Sequence, residues 1–347
     1  MAGELPSGSP FQMRFAAIWL ALAVLIALSA VFVPRSLQPS SLLAVIPLAA
    51  FLAIAAMGQA MVLMARGIDL SVPAIVTLSS TILLGASGGS DAGIAGAVAL
   101  ALALAAAVGL VNGVLVGVLQ LNALIVTLAV GAIVAGLTLW YREGLPPESG
   151  VPPLLAALGG LRILGLNFSV WVTLLLVIVL SVVLRKTVAG RRFAAVGANP
   201  RAAHIAGIGV ARYQIAAFLL AALLYCVAGI LLSAFIRNPT LEVGTPYLLA
   251  PIAAAVLGGT ALGGGIGRMT SVAGAALFLI HLGQMLQIMG ISTAWQMIAE
   301  GVAIALGMGL SQLRLPRLRK PIRSASPAPP GPEPAAIRPR PEPEGRR

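Results

Sequence analysis

Asp69, Ser71, Asn112, Gln284, Gln287 and Glu300 are polar side chains set inside or at the margins of long apolar runs. A carboxylate or amide in such a place is costly unless it faces protein or water, so each is a candidate to line a polar pathway or to tie helices together. Hydrogen bonding to a passing solute is within their chemistry. Bond-making is not, because the chain offers no paired general acid and base, no metal-ligand cluster, and no phosphate loop ending in Lys-Ser or Lys-Thr. No cofactor or metal is therefore expected on this chain. The single cysteine, Cys226, lies in an apolar run and reads as a small buried hydrophobe.

The elements that must position these groups are set by composition. Of 347 residues, 59% are hydrophobic and 9% charged, whereas a soluble domain is about half apolar and about a quarter charged. Apolar runs of about 20 residues recur, each long enough as a helix to cross a hydrocarbon core about 30 Å thick. Cutting them at charges and Gly/Pro clusters gives candidate spans at 15–33, 41–60, 71–88, 93–119, 123–141, 170–187, 213–236, 248–262, 269–289 and 295–313. The first is followed by Pro34-Arg35-Ser36 rather than by a small-residue cleavage site, and reads as a retained helix. The fold class expected is all-α, a polytopic membrane protein with about ten transmembrane helices, some of them broken.

An even number of spans puts both termini on one side. With the N-terminus in the cytoplasm, Arg14, Arg66, Arg185, Lys186, Arg191, Arg192, Arg201, Arg212, Arg268 and the basic residues from Arg314 lie inside, while Arg35, Arg142, Arg162 and Arg237 are left outside. The net charge of +12 thus marks orientation, and no nucleic-acid partner is expected, since the basic residues punctuate spans instead of covering one folded face. The organisation expected is a cytoplasmic segment 1–13, a transmembrane domain 14–315 containing a cytoplasmic loop 188–212, and a tail 316–347. The tail holds ten of the 24 prolines and is expected to be disordered and cytoplasmic.

Some stretches are not plain spanning helix. Arg66-Gly67-Ile68-Asp69-Leu70-Ser71-Val72-Pro73 is a charged interruption in which Ser71 can cap the helix that Pro73 helps start, with Asp69 near its positive end. It fits either a capped surface loop or a broken helix bordering a pathway. In the cytoplasmic loop, Asn199 and Pro200 form a cap and first turn, Ala202, Ala203 and Ile205 continue a short amphipathic helix, and Gly207 before Ile208 can close it. That helix, preceded by Gly197, suits a bilayer surface or a groove on a soluble partner equally. Gly258, Gly259, Gly264 and Gly267 crowd one stretch and mark a flexible turn or a close backbone approach. Gly109, Gly113 and Gly117 recur every four positions, a spacing for close helix packing, although Asn112 could instead bond a solute.

Together these segments resemble the permease subunits of ribose, xylose and galactose type bacterial ATP-binding-cassette (ABC) importers over nearly the whole chain except its tail. The resemblance is carried by GIDLSV at Gly67 to Val72, LVNG at Leu110 to Gly113, IVTL at Ile125 to Leu128, GANPRAAHIAGI ending at Ile208, and GGTALGGGIG at Gly258 to Gly267. Arg66 and Pro73 stand where glycines are common, Asn122-Ala123 replaces a Pro-containing pair, Ala206 a frequent serine, and Glu300 a basic or neutral residue. The resemblance implies import of a monosaccharide through a permease homodimer in the bacterial plasma (inner) membrane. The implied partners are a second permease copy, a cytoplasmic ATPase that uses ATP and Mg, an extracytoplasmic solute-binding protein, and the lipid bilayer. It also implies that Gly197, Asn199, Ala202, Ala203, Ile205, Gly207 and Ile208 couple to the ATPase, and that Gly67 and the 258–267 glycines are functional breaks. Permeases for branched-chain amino acids or nucleosides share the plan. An ion-coupled transporter would need more intramembrane carboxylates than Glu300.

Overall fold

A computed structural model describes residues 10–146, 150–292, 294–299, 301–302 and 305. Glu300, most of the tenth candidate span and the tail 316–347 lie outside the described residues. Helix α1 (Pro10–Phe32) leads through a 3-10 turn to α2 (Pro39–Met64), then α3 (Val72–Ala86), α4 (Ile94–Gly117), α5 (Ala123–Glu143) and α6 (Pro153–Gly160). A small antiparallel pair, β1 (Arg162–Ile163) and β2 (Leu166–Asn167), precedes α7 (Phe168–Lys186), α8 (Val188–Ala198), α9 (Pro200–Ile205), α10 (Val210–Ile236), α11 (Ala250–Leu257) and α12 (Met269–Ile288).

Among the described residues, seven helices are long and apolar enough to cross a membrane: α1, α2, α4, α5, α7, α10 and α12. Two candidate spans come out differently. The third is α3, whose 15 residues reach about 22 Å, and the eighth is α11, whose 8 residues reach about 12 Å, at 1.5 Å per residue. Neither covers about 30 Å of hydrocarbon alone. Irregular chain precedes each: residues 65–71 before α3, and 237–249, with a 3-10 turn at Thr245–Tyr247, before α11. The apolar runs 71–88 and 248–262 extend past the helices within them because apolarity does not report where a helical hydrogen-bond ladder stops.

The core lies along α2 and α10, where Phe51, Met57, Phe218 and Tyr225 are fully buried. The outer helices are as apolar but show it outward: Ile133, Leu137 and Trp140 on α5 and Leu175 and Ile178 on α7 are exposed. A helix apolar on every face and not buried by protein is one solvated by lipid.

Close packing of α4 on α10 explains the four-residue glycine spacing. A Cβ on Gly109 would meet the Phe218 carbonyl oxygen at 2.8 Å, and one on Gly113 would meet the Ile215 Cα at 2.8 Å. The backbones touch where side chains would hold them apart. Gly113→Val is expected to lower stability by about 1–3 kcal/mol through overpacking, read as a lower midpoint of thermal unfolding in detergent.

Candidate functional site

The break at 65–71 leaves the helical ladder, and its backbone groups find partners on neighbouring helices. Leu70 donates its N–H to Thr127 Oγ1 of α5 at 2.9 Å, and that hydroxyl donates to the Ala123 carbonyl of its own helix at 2.8 Å, with the Ile68 carbonyl 3.3 Å away. Gln59 of α2, with its amide nitrogen facing the Asp69 carbonyl, donates to that oxygen at 3.1 Å and accepts the Asp69 N–H at 3.2 Å. The same nitrogen lies 2.9 Å from Tyr225 Oη of α10. Two side chains on two helices thus take the place of the missing intrahelical bonds, as irregular backbone at membrane depth requires.

Asp69 shapes the turn that starts α3. Its Oδ1 accepts from Ser71 N at 2.8 Å and from Ser71 Oγ at 2.6 Å. Ser71 therefore does not cap α3 as its type and position suggest. Its side chain makes no capping bond, because its hydroxyl proton is given to Asp69 and its oxygen accepts from Asn112 Nδ2 of α4 at 3.0 Å. Asp69, Ser71, Asn112 and Gln59 are all fully buried. Asp69 Oδ2 and Asn112 Oδ1 have no hydrogen-bond partner in this cluster, so the group keeps two acceptor oxygens beyond those that hold the turn together.

A second irregular segment rests on α3. Gly244, between α10 and α11, donates its N–H to Thr77 Oγ1 of α3 at 3.2 Å. Short helix α3 is thereby flanked by irregular chain at its start and along its side. Sequence reading missed the 237–249 segment, and it missed Gln59 and Thr127 as supports. Gln59 carried a usable signal as an amide within the apolar α2 run, by the criterion applied to Asn112.

In the loop that carries α9 the caps expected from the sequence are present. Asn199 Oδ1 accepts from Ala202 N at 3.1 Å as the N-cap of α9. Gly207 has φ of 75°, and Ile208 N donates back to the Ala203 carbonyl at 3.0 Å, the closing bond of a left-handed C-terminal cap. Burial divides the apolar residues of α9. Ile205 is 87% exposed and Ala203 only 4%, so Ala203, like buried Gly197, holds the loop against its own chain and does not face outward. Ala202 is exposed as well. Phe193 of α8, buried, lies with its ring 6.5 Å from that of Tyr213 at the start of α10.

Three motifs far apart in sequence meet where α8 ends. Arg66 Nε donates to the Gly197 carbonyl at 2.6 Å and Arg66 Nη2 to the Ala198 carbonyl at 2.7 Å. Gly265 N donates to the Met64 carbonyl at 2.8 Å. A Cβ on Gly197 would overlap the Met64 carbonyl oxygen, so the end of α8, the end of α2 and the glycine-rich loop close at backbone distance. Gly264 is in the left-handed region at φ of 86°, Gly259 likewise; Gly258 abuts Val272 of α12, Gly267 abuts Met64, and Gly67 abuts the Phe218 ring. Beside the junction an open cleft is lined by Arg66, Gln120, Asn122 and Gln214 among others.

The remaining polar candidates sit elsewhere. Gln284 Nε2 donates to the Ser41 carbonyl at 3.1 Å, and His281 Nε2 lies 3.0 Å from Ser29 Oγ, so these side chains tie α12 to α1 and to the start of α2. Gln287 is exposed at the end of α12. None of them reaches the Asp69 cluster.

A bundle of lipid-facing helices packed around α2 and α10, with two short apolar helices bordered by irregular chain and a capped helix beside the break at 65–71, has the make-up of a polytopic membrane protein. Comparison with known proteins says which kind. Residues 41–306 match the family described as the permease component of the branched-chain amino acid transport system. The ribose import permease protein RbsC of Bacillus subtilis is 34% identical over 296 residues, covering 85% of this chain and 91% of its own length. RbsC of Escherichia coli is 35% identical, covering 83% and 91%, and the Escherichia coli L-arabinose transport system permease protein AraH is 34% identical, covering 54% and 56%. No solved structure matches the chain. The chain belongs to this family of ABC importer permeases. It is a membrane subunit of the bacterial inner membrane and not an enzyme: ATP is hydrolysed by a separate cytoplasmic subunit, and an extracytoplasmic binding protein delivers solute.

Proposed function

We propose that the chain imports a monosaccharide by alternating access, as one half of a permease homodimer with both termini in the cytoplasm. The relatives named for ribose and arabinose support the substrate class. The observation that carries the mechanism is the junction at Gly197, where the loop bearing α9 is bonded directly to the break at 65–71. In this reading α9 docks on the ATPase through Ala202, Ile205 and Ile208. ATP and Mg act on that partner while the permease moves, and Asp69, Ser71 and Asn112 stand where the movement reaches the membrane interior. Small and amide side chains along the way let a polyol pass without being trapped.

The test is uptake of radiolabelled ribose into proteoliposomes holding the permease, its ATPase and its binding protein. Uptake is expected only with ATP present and the ATPase assembled. Uptake on an ion gradient alone would replace this reading with secondary transport. The description of the matching family favours one further reading, a branched-chain amino acid as solute; isoleucine uptake in place of ribose would establish it.

A further inference from the structure

Arg66 holds an uncommon backbone conformation and an uncommon pair of contacts at once. Its φ is 69°, in the left-handed region that non-glycine residues seldom occupy. The turn follows directly on the end of α2, and the side chain leaves it to bond the Gly197 and Ala198 carbonyls, the last two of α8. Final helix carbonyls lack intrahelical partners and carry the negative end of the helix dipole, so a guanidinium is the side chain best suited to hold them. Its rigid fork reaches two carbonyls together, which a lysine ammonium cannot do with the same geometry.

The two ends of this contact lead to different places. On one side, Asn199 closes α8 and caps α9, so the end of α8 and the exposed Ile205 helix share a single residue. On the other side, Arg66 is three residues from Asp69, whose carboxylate holds Ser71 and, through it, Asn112. The backbone bond from Gly265 to Met64 braces the same point from a third direction. The remaining contacts among these segments are packing alone, which slides more readily than a charge-assisted pair of hydrogen bonds.

We infer that Arg66 is a positioning residue that links the α9 loop to the membrane break, so that displacement of α9 is delivered to the Asp69 cluster through its guanidinium. The inference rests on the reading of α9 as the ATPase-docking helix. It assigns Arg66 to coupling, not to solute binding or to assembly.

Arg66→Gly separates these roles, because glycine adopts a φ of 69° without strain and only the side-chain link is removed. The full complex of permease, ATPase and binding protein is reconstituted, and ATP hydrolysed per ribose imported is measured together with recovery of the ATPase on the purified permease. Arg66→Gly is expected to raise the ratio of ATP to ribose about tenfold, the factor that goes with losing a hydrogen bond to a charged group, with ATPase recovery and basal hydrolysis unchanged. Arg66→Lys, which can reach one carbonyl, is expected to restore part of the coupling, and it serves as the test if the glycine variant does not fold. An unaltered ratio in either variant overturns the inference. So does a proportional fall of transport and hydrolysis with loss of the ATPase, which would mark Arg66 as part of the assembly scaffold. If wild-type import needs no ATPase at all, the functional reading itself fails; ATP-dependent wild-type import with unchanged variants removes only the role of Arg66.

Discussion

Ile205→Asp is expected to abolish binding-protein-stimulated ATP hydrolysis in the assembled complex while leaving the chain inserted and its thermal midpoint unchanged. Ile205 is 87% exposed on a six-residue helix, so an aspartate there is solvated in the free permease and costs little. In a docked interface the same change removes a buried apolar anchor and places a charge against the partner groove. Interface anchors are worth about 2 kcal/mol or more, so affinity for the ATPase should fall at least about thirtyfold. Pull-down of the ATPase on the purified permease reads the affinity, and hydrolysis with and without binding protein reads the coupling. Stimulation equal to wild type would remove α9 from the docking surface. Ala203→Asp is the contrasting case. At 4% exposure its carboxylate would be buried without a partner, and the expected result is loss of folded protein.

Asp69→Ala is expected to lower stability by about 2–5 kcal/mol, since it leaves Ser71 N–H and Ser71 Oγ–H buried without their acceptor and each such group costs about 1–3 kcal/mol. The loss falls on the turn that starts α3, so ribose uptake should fall with it. Asp69→Asn keeps an oxygen for both bonds and is expected to cost about 1 kcal/mol, the difference between a charged and a neutral acceptor. Thermal unfolding in detergent, followed by tryptophan fluorescence, checks both. Equal midpoints for the alanine variant and wild type would show that the turn is held by Gln59 and Thr127 without the carboxylate.

The two variants probe parts of the chain that were legible to very different degrees. Asn199, Pro200 and Gly207 announce a short capped helix because a cap acts within three or four residues of itself. The interruption around Asp69 was legible for the same local reason, but its internal bonding was not: a Ser before Val-Pro reads as a cap, and Asn112, reached across 41 positions, takes the hydroxyl instead. Ala203 and Ile205 looked alike as apolar residues of one helix. Which of them faces a partner depends on where α8 and α10 lie, and nothing in the six residues encodes that.

The long spans show the same division. In a water-soluble helix an apolar stripe marks the buried face, but in lipid both faces are apolar and the pattern no longer tells core from perimeter. The central position of α2 and α10 could not be read for that reason.

By itself the sequence determined that the chain lives in a membrane, that a charged stretch interrupts its helices before α3, and which short segment carries helix caps, because hydrophobic length and capping chemistry are local properties. The tertiary structure alone decided that Arg66, Gly197 and Gly265 meet, with 131 positions between the first two, and that Gln59 and Thr127 support the break. Those contacts pair side chains, or a backbone N–H, with backbone groups that every residue carries, so only the packing of helices around them selects which ones touch.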